Sequence, residues 1–252
     1  MDHNFDEWSE DGDVSKEAPK NVPSAVRKYR PQFRPPMGVL MIFDDGLDTY
    51  ETRRIRADET TIGRNADVSI PHDYFISDVH LMLRRENASG KYTWVLEEVS
   101  KETPLFVRAK KFELRDGTEF LAGSNRFSYA VELESTTGTS ELRGRLEAGS
   151  VPGASIFEDG IRYPCLRSTT NSQKLWLIAG EYWIGRSSDC AICMPEDEFL
   201  TSKHVKISLE DGKWLLSTAG VTNGFWVRIS TVRIRTSCTF QIGEQRFRFV
   251  AL

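Results

Sequence analysis

Several things are missing from this chain of 252 residues, and each absence removes a class of function. No run of about 18 apolar residues occurs, so no segment reads as a membrane-spanning helix. The opening MDHNFDEWSE lacks the basic-then-apolar order of a secretory leader, and a cytoplasmic protein with no membrane partner is expected. Positive charge is not in surplus: 33 Lys and Arg stand against 37 Asp and Glu, a net charge of −4, so no nucleic-acid partner is expected either. Only four cysteines are present, Cys165, Cys190, Cys193 and Cys238. They include one C-x-x-C spacing, but no second follows it, and in the strand-like DCAICM residues three apart face opposite sides of a sheet. Neither metal nor cofactor is expected, and Cys190 and Cys193 are read as small buried hydrophobes. Nor is there a nucleophile with its base or a carboxylate pair in a cleft; Asp44-Asp45 and Glu196-Asp197-Glu198 read as solvated loops, and no enzyme is expected.

A sustained helical period is also lacking. From Met37 onward the chain runs in short apolar stretches, such as VLMIF (39–43) and YTWVLEEV (92–99), broken by Gly, Asp and Asn. That is an all-β pattern. Residues 1–36 differ: Asp2, Asp6, Glu7, Glu10, Asp11, Asp13 and Glu17 precede Arg27, Lys28, Arg30 and Arg34 among prolines, the composition of a disordered, charge-segregated tail.

Sliding the chain along itself reveals a repeat. TIGRNADVSI (61–70) lies over WIGRSSDCAI (183–192), and SDVH (77–80) over TSKH (201–204). At one common offset Trp94 then matches Trp214, Phe106-Val107 matches Trp226-Val227, Phe120 matches Phe240, and Arg126-Phe127 matches Arg246-Phe247. A register held over so many aromatic residues predicts two homologous β-domains, 37–135 and 153–252, with 136–152 as a Gly/Ser/Thr-rich linker. The shared Trp and Phe residues are expected in the two cores.

In the second copy polar residues punctuate strand-like runs at Gly185-Arg186, at Thr201-Ser202-Lys203-His204 and at Asn223-Gly224. Loops at one end of a β-sandwich converge in space, so a guanidinium, hydroxyls, an ammonium and a carboxamide can assemble one anion site there. The order G-R, then S/T-x-x-H, then N-G on an all-β repeat resembles the forkhead-associated (FHA) domain family. That resemblance implies an eleven-stranded sandwich whose loops hold phosphothreonine peptides. It implies that Arg186 and Thr201 contact the phosphate with Ser202 beside them, that Asn223 holds the peptide backbone, and that Gly185, His204 and Gly224 shape the loops. Thr201 stands where the family usually has serine, and Ser202 where it often has a base, so Lys203 compensates only if its side chain turns inward. The first copy keeps Arg64, Ser77 and His80 but carries Asp78 at the usually basic position and Thr103-Pro104 in place of Asn-Gly. Arg64 and Ser77 are therefore weak candidates, with Asp78 expected to pair with Arg64. The expected function is a phosphothreonine-dependent adaptor in signalling, its partner a phosphothreonine-containing protein. The alternative is a structural interaction module in which both copies have lost phosphate binding.

Overall fold

Strand β1 (Gly38–Phe43) turns Leu40 and Ile42 inward and leaves Val39, Met41 and Phe43 half-exposed, the period-two alternation of a sheet with one face on a core. The structure, a computed structural model, describes residues 38–43, 49–133, 155–157, 160–170, 173–178, 180–218 and 220–252. The expected tail (1–36), the linker (136–152) and Asp44-Asp45 lie outside them. The described residues form an all-β fold without a helix, and so without any helix long and apolar enough to cross a membrane.

The first half continues with β2 (Tyr50–Ile55), β3 (Glu59–Gly63), β4 (Val68–Ser69), β5 (Leu81–Ala88), β6 (Lys91–Glu98), β7 (Phe106–Ala109), β8 (Lys111–Glu113), β9 (Glu119–Ala122) and β10 (Asn125–Leu133). The second half supplies β11 (Ser155–Phe157), β12 (Gly160–Ser168), β13 (Lys174–Trp176), β14 (Glu181–Gly185), β15 (Ile192–Cys193), β16 (Val205–Glu210) and β17 (Lys213–Ser217). It closes with β18 (Phe225–Arg228), β19 (Thr231–Ile234), β20 (Ser237–Ile242) and β21 (Gln245–Ala251).

These strands build one large sheet, in the order β11-β12-β10-β9-β18-β7-β20-β21-β1-β2 with β13 on β12, and two five-stranded sheets, β15-β14-β16-β17-β8 and β19-β6-β5-β3-β4. Strands from both expected segments, 37–135 and 153–252, meet in each of two cores. One core gathers Leu40, Ile62, Leu83 and Trp94 from the first segment with Ile234, Phe240, Phe247 and Phe249 from the second. The other gathers Ile184, Val205, Trp214 and Phe225 from the second with Leu114, Phe120, Phe127 and Tyr129 from the first. The last three strands of each segment are thus exchanged between two lobes.

The ladders show how regular the exchange is. Lys111 pairs with Ser217, and its repeat mate Thr231 pairs with Glu97; Phe120 pairs with Val227, and Phe240 with Val107. At the centre β7 and β18 run antiparallel with Val107 opposite Val227, each residue facing its own repeat mate. That self-pairing is the mark of a two-fold interface, here contained within one chain. The cause lies in the connections. Only Lys110 separates β7 from β8, and only Ile229 and Ser230 separate β18 from β19. A single residue cannot close a hairpin, and Ile229-Ser230 lacks the Gly or Asn that a two-residue turn takes at positive φ, so each chain runs straight on into the opposite lobe, as a short hinge favours. The crossings are pinned by hydrogen bonds from Thr218 N to Lys110 O at 3.0 Å and from Glu98 N to Ser230 O at 2.8 Å. The exchanged aromatic residues then fill equivalent places: Phe120 stacks on Phe127 at 5.2 Å in one lobe and Phe240 on Phe247 at 5.0 Å in the other. Each buried phenyl contributes about 1.5–3 kcal/mol, so a lobe without its borrowed strands would lose several such terms.

Candidate functional site

Strand β14 ends in Ile184, Gly185 and Arg186, and the glycine is required by close approach. A Cβ on Gly185 would lie 2.2 Å from the Ser202 carbonyl oxygen, so the loop 201–204 sits directly on the strand end. Backbone hydrogen bonds lock that contact: Arg186 N donates to Thr201 O at 3.1 Å and Ser187 N to Ser202 O at 3.0 Å. Buried His204 joins the third loop. Its Nδ1 accepts from Thr201 N at 3.1 Å while its Nε2 lies 2.8 Å from Gly224 O. A backbone N–H can only donate and a carbonyl can only accept, so the ring is the Nε2–H tautomer. His204 thereby staples the loops carrying Thr201 and Asn223, with no role in proton transfer required.

The expected contact residues distribute as follows. Arg186 is exposed and donates its Nε–H to Pro195 O at 2.9 Å, while its terminal amino groups meet no carboxylate among the described residues. The Ser202 hydroxyl makes no hydrogen bond among the described residues, and Thr201 Oγ1 donates to Lys203 O at 3.0 Å, keeping its lone pairs. Asn223 Nδ2 donates to Phe199 O at 2.9 Å. Lys203 is turned away: its ammonium pairs with Asp189 at 2.8 Å and sits 5.7 Å from the Trp183 ring centre. The Lys203 hydrogen bond holds the Asp189 carboxyl below the usual carboxylate range, and the same bond raises the ammonium. Compensation by Lys203 for the missing base at Ser202 therefore requires that the Asp189 pair first open.

The first lobe repeats this scaffold closely. Arg64 N donates to Ser77 O at 3.0 Å, Asn65 N to Asp78 O at 3.0 Å and Ser77 N to His80 Nδ1 at 3.1 Å, and His80 Nε2–H donates to Thr103 O at 2.7 Å. The side chains above the scaffold differ. Arg64 is held by Asp78 at 3.2 Å, the pairing expected from the sequence, and the Ser77 hydroxyl donates to Glu102 at 2.7 Å. In this lobe the arginine and the hydroxyl are thus each partnered by a carboxylate.

Sequence reasoning missed three features. Glu102 lies some 25 positions from Ser77, and only the fold brings them together. Phe199 is 57% exposed at the rim beside Asn223, an aromatic in a loop that carried no other mark. Asp197 is not solvated as the sequence predicted; it is buried, and its Oδ2 accepts from Ser124 N at 2.8 Å, Ser124 Oγ at 3.0 Å and Asn125 Nδ2 at 2.9 Å. Phe199 N donates to its Oδ1 at 3.0 Å. Burial alone would push this carboxyl up, but the hydrogen bonds outweigh it and hold Asp197 below the usual range. Cysteine needs one correction: Cys190 is buried and burial raises its thiol, whereas Cys193, at the end of the short β15, is exposed.

A comparison with curated proteins finds no match to this chain. A family model described as "FHA domain" matches residues 182–243, from β14 through the turn after β20, a family of binding modules rather than enzymes.

Proposed function

We propose that the chain is a phosphothreonine-dependent adaptor of cytoplasmic signalling, its phosphopeptide held at the second lobe by Arg186, Thr201, Ser202 and Asn223. The single observation that carries this reading is the contrast between two equivalent arginines. Arg64 is neutralised by Asp78, with Glu102 beside it on Ser77, whereas Arg186 keeps its terminal amino groups clear of acids. A phosphate ester carries about −1.5 to −2 charges at neutral pH, and a planar guanidinium is the natural partner for two of its oxygens. Ser202 adds a free hydroxyl, and Asn223, fixed through its amide nitrogen to Phe199, keeps its oxygen for a peptide N–H. Phe199 supplies an exposed apolar face next to that backbone contact.

The test is calorimetric titration of the whole chain with matched phosphothreonine, phosphoserine and unmodified peptides. Charge-assisted hydrogen bonds contribute about 1.5–3 kcal/mol each, so Arg186→Ala should weaken phosphothreonine binding by roughly ten- to a hundredfold or more. Lys203→Ala should change it little. Affinity that survives Arg186→Ala, or that ignores the phosphate, sinks the proposal in favour of the purely structural module.

A further inference from the structure

The exchange leaves a crevice of about 750 Å³ at the junction of the lobes, within the size range of ligand clefts. It is bounded by the end of β7, by Thr218, Gly220, Val221 and Gly224, by β19 and by the start of β20. Its charged lining residues are Arg108, Lys110, Arg233, Arg235 and Arg248, all exposed, and among the described lining residues there is no Asp or Glu. Arg233 pairs with Glu86 at 2.6 Å, while Lys110, Arg235 and Arg248 have no ion pair among the described residues. In a chain of net charge −4, five cations around one cleft is a marked local departure.

The fold does not require this charge. At the repeat mates of Lys110, Arg233 and Arg248 the other lobe has Ser230, Glu113 and Ser128, while Arg108 and Arg235 match Arg228 and Arg115. Two of the five positions are thus basic in both copies, and the rest are basic on one side alone. That side is the one whose wall carries the Asn223 loop: Arg108 donates to Val221 O at 3.4 Å and to Thr222 O, and a Cβ on Gly224 would lie 3.0 Å from Arg108 Nε.

We infer that this crevice binds an acidic segment of the phosphorylated partner, a run of Asp and Glu or of further phosphates flanking the phosphothreonine. The inference rests on the phosphothreonine reading of the neighbouring site. The cleft wall includes Val221 and Gly224, close in the chain to Asn223, so a peptide held by its backbone at Asn223 lies within reach of free cations and hydroxyls, Thr236 and Thr239 among them, that suit repeated carboxylates. Nucleic acid fits less well, because no described lining residue is aromatic and bases would find no stacking platform.

The experiment uses the full chain and four fluorescent probes at low and high salt: a phosphothreonine peptide with a neutral flank, the same peptide with an Asp/Glu flank, an unphosphorylated Asp/Glu peptide, and a single-stranded oligonucleotide. The acidic flank should tighten phosphopeptide binding on the order of tenfold at low salt, and the double variant Arg235→Ala/Arg248→Ala should abolish that gain while leaving the neutral-flank peptide unchanged. A gain that persists in the double variant, or no gain at all, overturns the inference. Should neither phosphopeptide bind, the phosphothreonine reading has failed; weak, salt-sensitive binding of the unphosphorylated acidic peptide that needs Arg235 and Arg248 then still supports the crevice, and its absence overturns it. Tighter binding of the oligonucleotide through the same two arginines also overturns it. Lys110→Glu provides a second variant, expected to reverse the flank preference, should the double alanine fold poorly.

Discussion

The sharpest test of the exchanged fold is Asp197→Asn. Asp197 belongs to the second segment, yet three of the four hydrogen bonds to its carboxylate come from Ser124, in the turn between β9 and β10 of the first, and from Asn125 at the start of β10. An asparagine keeps the shape but offers one acceptor oxygen and puts an NH2 where donors already point. If its oxygen stays with Ser124 N, its amide faces the Phe199 N–H. The variant loses the charge on every bond and gains one buried donor–donor conflict, a cost of about 2–4 kcal/mol. For a unit of this size that is about 4–16 °C in Tm. The pH dependence has a definite sign. The folded carboxyl titrates below its unfolded value, so its stabilisation is fully present above the ordinary aspartate pKa and is lost as pH falls through the lower folded value. The gap between wild type and variant should therefore be widest near neutrality and close in the acid range below the ordinary value of 3.8. The repeat mate, Asp73→Asn, is the internal control: Asp73 accepts from Phe75 N at 2.9 Å and Glu244 N at 2.8 Å, two bonds in place of four, and should cost roughly half as much. Thermal and denaturant unfolding from pH 3 to 8, read by tryptophan fluorescence, measures all three proteins. A loss under about 0.5 kcal/mol for Asp197→Asn, or a gap that widens in acid, refutes the reasoning.

Three other outcomes follow from the same geometry. Residues 153–252 expressed alone should form a dimer that exchanges β19–β21 between copies, seen by light scattering, and a Gly/Ser insertion between Ile229 and Ser230 should shift it to monomer; a monomer with the native connection would refute the hinge argument. Gly185→Ala places a methyl 2.2 Å from the Ser202 carbonyl and should cost roughly 3 kcal/mol or fail to fold, so a well-folded variant with unchanged Tm contradicts the packed loop. Removing both carboxylates of the first lobe, Asp78→Ala with Glu102→Ala, should give Arg64 a phosphopeptide affinity measurable in an Arg186→Ala background, whereas either single change should give much less.

The local design was readable from the residues. Short apolar runs broken by Gly, Asp and Asn pointed to strands, the aromatic register pointed to matching segments, and the family resemblance implied that Gly185 and His204 shape the loops. Pairings between distant loops were not readable, because Glu102 with Ser77 and Asp197 with Ser124 depend on which loops meet. The exchange was hidden for a more specific reason. Phe120 and Phe240, or Phe127 and Phe247, are chemically interchangeable, so period, propensity and pattern are equally satisfied whichever lobe each strand joins. The local trace is a shortage at both crossings, Lys110 alone in one and Ile229-Ser230, without the Gly or Asn of a tight turn, in the other.

That shortage also accounts for a half whose own arginine and hydroxyl are each partnered by a carboxylate. Arg64 is tied to Asp78 and Ser77 to Glu102, yet the first segment gives Phe120, Phe127 and Tyr129 to the core beneath the second lobe's loops, and its Ser124 and Asn125 hold Asp197 two residues before Phe199. Phe199 O in turn positions the Asn223 amide. A continuous set of hydrogen bonds therefore runs from the β9–β10 turn of the first segment to the carboxamide proposed to grip the peptide. Asp197→Asn should accordingly weaken phosphopeptide binding as well as stability, by an amount that tracks loss of the Asn223 contact and not of Arg186. A double-mutant cycle decides it: Asp197→Asn and Asn223→Ala should be strongly non-additive in binding, Asp197→Asn and Arg186→Ala close to additive, and the reverse pattern would mean that the first segment supports the fold without reaching the site.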